Sequence, residues 1–69
     1  MNKAALAVER VARDSRARLL AFLAGRSHDV AAAEDALSDA FRAALERWPG
    51  DGVPQVPEAW LLTAARRRL

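Results

Sequence analysis

Apolar residues return along this chain at helical intervals in three separate stretches. In the first, Val8, Val11, Ser15, Leu19 and Phe22 stand at i, i+3, i+7, i+11 and i+14, which is one face of a helix, and Leu20 and Leu23 widen it. The stretch from about Lys3 to Gly25 contains no proline and is rich in Ala, Leu and Arg, all strong helix formers. Gly25 reads as its C-terminal stop. Asp14-Ser15 reads as a kink or local break, because both side chains compete for backbone hydrogen bonds. The second stretch runs from roughly 29 to 48. Asp29 suits its N-cap, and Val30, Ala33, Leu37, Ala40, Phe41, Ala44, Leu45 and Trp48 form its apolar stripe. Glu34, Asp35, Ser38, Asp39, Arg42 and Glu46 occupy the opposite face.

Residues 49–56, Pro-Gly-Asp-Gly-Val-Pro-Gln-Val, are expected to form a loop, since two of the three glycines and two of the three prolines fall there. Pro57 then fits the first position of a third helix, where a missing N–H costs nothing. Glu58 in its first turn and Arg66, Arg67 and Arg68 in its last suit the helix dipole. Trp60, Leu61, Ala64 and Ala65 are its inward face. That helix continues to Leu69 without a C-cap, which reads as a cut through a longer chain. No strand pattern or repeat interrupts the series. The expected fold is all-α, a small three-helix bundle in a single domain spanning 1–69.

Composition narrows the function. Seventeen of the apolar residues are Ala, so only 19 larger apolar side chains are available for a core. With no cysteine, a disulfide framework and a thiolate metal site are both excluded. No stretch reaches the ~20 apolar residues of a membrane span, and no apolar leader opens the chain, so a cytoplasmic protein is the default. Enzymatic chemistry has little to work with. The one histidine, His28, lies in a polar connection, and no phosphate loop or nucleophile elbow is present. Glu34, Asp35 and Asp39 lack the Glu-x-x-His partners of a di-metal bundle and read as a solvated acidic face. Neither a metal nor a cofactor is expected.

Charge order is more informative than the net +2. Residues 1–28 carry six basic and two acidic groups (+4), residues 29–46 one and five (−4), and residues 47–69 four and two (+2). Two surfaces follow. Asp35, Asp39, Arg42 and Glu46, at i, i+4, i+7 and i+11, form a mostly acidic ridge suited to a basic protein partner. The Arg66–Arg68 run beside Trp60 and a proline-rich loop suits single-stranded nucleic acid. Ordinary salt-bridge decoration of a small bundle, with a dipole-compensating helix end and a core tryptophan, accounts for the same residues.

Three segments, in order, resemble region 2 of the extracytoplasmic-function sigma factors of the sigma-70 family. Asp29-Val-Ala-Ala-Ala-Glu-Asp-Ala-Leu-Ser-Asp-Ala-Phe41 is similar to that family's Asp-x-x-x-Ala-Glu-Asp-x-x-Gln-Glu-x-Phe. Pro57-Glu-Ala-Trp-Leu-Leu-Thr-Ala-Ala-Arg-Arg-Arg68 is similar to its Ala-Trp-Leu-x-x-x-Ala-Arg-Asn segment. The Trp-Pro-x-Asp-Gly-x-Pro linker at 48–54 resembles the subgroup with a long C-terminal extension. The resemblance runs from about Val8 to Leu69.

It implies a non-enzymatic module of bacterial transcription initiation. Asp35, Ser38, Asp39 and Arg42 would dock on the β′ clamp helices of RNA polymerase core. Asp51, Val53, Gln55 and Val56 of the loop, with Thr63, Arg66 and Arg67 of the third helix, would bind the non-template single strand of the promoter minus-ten element. Trp60 would be packed in the core rather than stacked on DNA. An anti-sigma factor or the protein's own C-terminal domains are further implied partners, and no membrane is involved. Two departures stand out. Ser38 replaces a common Gln at the docking ridge, and Arg67 replaces a common Asn, trading a base-edge contact for a phosphate contact. Region 4, the reader of the minus-thirty-five element, is absent from these residues. The rival reading is a helical protein–protein adaptor that makes no DNA contact.

Overall fold

The computed structural model describes residues 2–69 as three α-helices, α1 (Lys3–Ser27), α2 (Val30–Asp51) and α3 (Pro57–Arg66), and no strand occurs among them. They pack mutually into a bundle of 35 × 21 × 18 Å. The small core explains the alanine content. Ala33, Ala36, Ala40 and Ala44 are all buried along α2, where short side chains let the neighbouring helices approach. Val8, Val11, Leu19 and Leu23 of α1 and Leu61 of α3 fill the space against them, and Trp48 closes the end of α2.

α1 is capped by the Asn2 side chain, which accepts from the Ala5 N–H at 2.7 Å. It runs unbroken through Asp14 and Ser15, contrary to the expected kink. The Ser15 hydroxyl is buried and faces another helix rather than its own backbone. It donates to Glu58 Oε2 at 3.1 Å and accepts from Arg18 Nη2 at 3.2 Å, tying α1 to the first turn of α3. Gly25 does not end the helix either. The stop comes at His28, whose left-handed backbone (φ 57°) lets its N–H donate to the Ala24 carbonyl at 2.9 Å. Asp29 then caps α2 as expected, accepting from the Ala32 N–H at 3.0 Å. Phe22, expected on the inward face, is exposed and lies under the Arg26 guanidinium at 5.6 Å. Leu23, one position on, takes the core site because the buried series steps 11, 15, 19, 23. Val30 and Leu45 likewise fall outside the buried stripe of α2.

The largest correction is at the end of α2, which continues through Pro49 and Gly50 to Asp51. An interior proline removes the N–H that would have bonded residue i−4, here Leu45. Leu45 is on the exposed side, so its carbonyl can be met by water, while buried Trp48 anchors the turn. Gly52, at φ 93°, ends the helix, donating its N–H to the Trp48 carbonyl at 2.8 Å. The connecting loop therefore shrinks to residues 52–56. α3 starts at Pro57 as expected but stops at Arg66, short of Leu69. With no C-capping glycine, the last residues tighten into i→i+3 turns (Arg68 N–H to Ala65 O, 3.0 Å; Leu69 N–H to Arg66 O, 3.2 Å).

Glu58 joins the two parts of the bundle, and its loss has a measurable cost. Glu58→Ala removes a carboxylate from a helix N-terminus and leaves the buried Ser15 hydroxyl without its acceptor, which together should cost about 1–2 kcal/mol. A urea unfolding curve superimposable on the wild type's would show that the contact contributes nothing.

Candidate nucleic-acid and polymerase interfaces

Two adjoining surfaces emerge along α2. The acidic ridge is built by helical spacing alone: Asp35, Ser38, Arg42 and Glu46 are exposed and Asp39 half-buried. Asp39 is its most engaged member. One oxygen, Oδ1, lies 3.6 Å from Arg42 Nη1 and the other, Oδ2, 3.8 Å from Arg68 Nε. Asp35 and Glu46 have no ion-pair partner among the described residues, so the uncompensated negative charge sits at the two ends of the ridge. In solvent such pairs contribute ~0–1 kcal/mol, so the ridge costs little to rearrange against a charged partner.

The second surface is an open cleft of about 630 Å³ between the C-terminal half of α2, the loop and the outer face of α3. This lies within the ~300–1,000 Å³ typical of small-ligand sites. Its floor is apolar, with Ala43, Pro54, Ala59 and Trp60. Its rim carries Arg47, Arg67 and Arg68, and no Asp or Glu lines it. Trp60 is half-buried: it joins the core packing, as the resemblance implies, and its exposed part also faces the cleft, so core packing does not withdraw it from that surface. Its ring meets Trp48 edge to face, with centroids 5.4 Å apart at 72°. That contact holds the Trp60 plane against a buried neighbour, the pre-organised state a stacking platform requires.

Of the loop and α3 residues expected at the DNA surface, the cleft brings together Val56, Thr63 and Arg67. Asp51 is on the last turn of α2, and Asp51, Val53 and Gln55 are exposed away from the cleft lining. Arg66 points to a different hollow, considered below. Arg47 and Ala43 were not anticipated. Their i, i+4 spacing places them on one strip of α2 beside the ridge, and Arg47 opens the last basic block of the chain.

An apolar, aromatic-floored cleft with an arginine rim next to an acidic helix matches what a single-strand binder docked on a basic protein needs. A family model, Sigma-70 region 2, matches residues 11–69. The chain belongs to the sigma-70 region 2 family. No curated protein and no solved structure matches it in whole-chain comparisons. A sigma-70 region 2 module serves RNA polymerase binding and promoter melting in transcription initiation, and its family is not one of catalysts. No helix of this module is long and apolar enough to cross a membrane, among the residues described.

Proposed function

We propose that this module is of the extracytoplasmic-function type, docks on the β′ clamp helices through α2, and holds a flipped base of the non-template minus-ten strand in the cleft between α2, the loop and α3. The cleft carries the proposal. It brings an indole packed edge to face on Trp48 together with three arginines, and no carboxylate is among its lining residues. Flipping a base costs a few kcal/mol. Stacking on an aromatic side chain returns ~1–3 kcal/mol per base, and polymerase contacts must supply the remainder.

Thr63 on α3 and Arg67, the residue just past its end, stand at the cleft where they can bond the base edge and the adjoining phosphate. Asp35, Ser38, Asp39 and Arg42 face the clamp, and basic clamp residues would replace Arg42 and Arg68 as the partners of Asp39. The two surfaces adjoin along α2 and are joined by the Asp39–Arg68 pair. Docking comes first and sets the cleft beside the duplex, and strand opening is then trapped by base capture.

Adding single-stranded DNA should quench Trp60 fluorescence, because a base stacked on the indole drains its excited state by contact electron transfer. Arg67→Ala should weaken that binding roughly fivefold to tenfold, a loss of about 1–1.4 kcal/mol expected for one charge-assisted contact. An emission spectrum untouched by saturating single strand would exclude Trp60 as the platform.

A further inference from the structure

The region 2 module has a second basic hollow that the base cleft does not use. About 510 Å³ in volume, it lies where the C-terminal ends of α1 and α3 meet the start of α2. Arg26 lines it together with Arg66 and Arg68, which lie 40 and 42 positions further along the chain, with Ser27 beside them. Asp29 is the one carboxylate present, and it already accepts the Ala32 N–H as the cap of α2. Arg26 and Arg66 are exposed and have no carboxylate within ion-pair distance among the described residues. Arg68 is held in place, donating from Nη1 to the Ala64 carbonyl at 2.8 Å while its Nε faces Asp39. Crucially, Arg68 lines both hollows.

We infer that Arg26, Arg66 and Arg68 form a phosphodiester-binding subsite, continuous through Arg68 with the base cleft, so that one strand places a base on Trp60 and runs its backbone across to Arg26. The inference rests on the module being a nucleic-acid binder. Three convergent guanidinium groups fit phosphate, whose oxygens accept forked hydrogen bonds. A nucleic acid also explains why the basic hollow adjoins an aromatic, apolar one, since its repeating unit is a flat base attached to a phosphate. An acidic peptide would satisfy the arginines but leave the Trp60 cleft without purpose. The site further gives a role to Arg26, which lies on α1, outside the three motif segments that carry the family resemblance.

Anisotropy titration of the whole chain with dye-labelled oligothymidylate, repeated over a range of salt concentrations, tests this directly. Each phosphate contact to a single strand adds ~0.7 to the slope of log affinity against log salt. Arg26→Ala should lower affinity about threefold to tenfold and flatten the slope by ~0.7, while Arg26→Lys keeps the slope. Arg13→Ala is the control for lost charge. Arg13 is exposed on α1, away from both hollows and paired with Glu9 and Asp14, so its slope should stay at the wild-type value. An Arg26→Ala slope equal to wild type, or no flatter than that of Arg13→Ala, overturns the subsite. So does displacement of the strand by polyglutamate as effectively as by unlabelled DNA at matched charge. Trp60 quenching reads the base cleft separately. Slope loss at Arg26 without any quenching sustains this subsite and sinks base capture. Quenching with an unaltered slope does the reverse.

Discussion

Trp48→Ala should leave the module largely unfolded at room temperature. The side chain is 2% exposed, and it packs against the α1 and α2 core on one side and Trp60 on the other. Emptying such a site costs about 3–5 kcal/mol, the transfer term plus the cavity left behind. Domain stabilities are roughly 5–15 kcal/mol, and a chain of this size belongs at the low end. Trp48→Phe should be tolerated far better. The indole Nε1–H is buried and bonds no protein atom, so its removal forfeits no hydrogen bond. Far-UV circular dichroism with urea titration distinguishes the two variants. Equal losses for Ala and Phe would mean that the N–H, rather than the ring volume, is what the core depends on.

Asp39→Arg should weaken binding to the isolated clamp coiled coil by tenfold or more while leaving the helix content intact. The substitution sets a cation among Arg42 and Arg68 where a carboxylate had been within 4 Å of both. The folded state loses little, because exposed pairs contribute ~0–1 kcal/mol. A basic partner meets like charge instead, and such juxtaposition costs several kcal/mol at an interface. Asp39→Asn, which removes the charge without reversing it, should fall between. If Asp39→Arg binds the coiled coil as tightly as wild type, Asp39 lies outside the docking surface.

These two positions also mark what periodicity can and cannot reveal. The three helices, the Asp29 cap and the Pro57 start were legible because each has a local cause: an apolar period, a side chain that bonds the orphan N–H groups, a ring that pre-sets φ. Helix ends were less legible. Pro49-Gly50 carries the composition of a loop, yet buried Trp48 holds the turn helical, and tertiary anchoring outweighs local propensity there. Ser15 shows the same limit. Local chemistry makes its hydroxyl a competitor for its own helix, whereas Glu58, 43 positions away, takes its hydrogen bond.

Site residues divide in the same way. The acidic ridge could be drawn from i, i+4 spacing, since one helix supplies all of it. The base cleft and the second basic hollow are tertiary products. Arg47 of α2 joins Arg67 at the end of α3, and Arg26 of α1 joins Arg66, through packing that no local pattern encodes. Arg66 and Arg67 are neighbours in sequence, but the ~100° turn between successive helical residues sends them to different hollows.

Strand selectivity of the polymerase-bound module tests its central role most directly. Two labelled oligonucleotides, the non-template minus-ten strand and its complement, would be titrated by anisotropy against the module on polymerase core, at low salt. Tighter binding of the non-template strand, reduced by Arg67→Ala, is the predicted result. Equal affinity for both strands, or no binding of either, would contradict base capture and leave the chain a docking module that makes no DNA contact of its own.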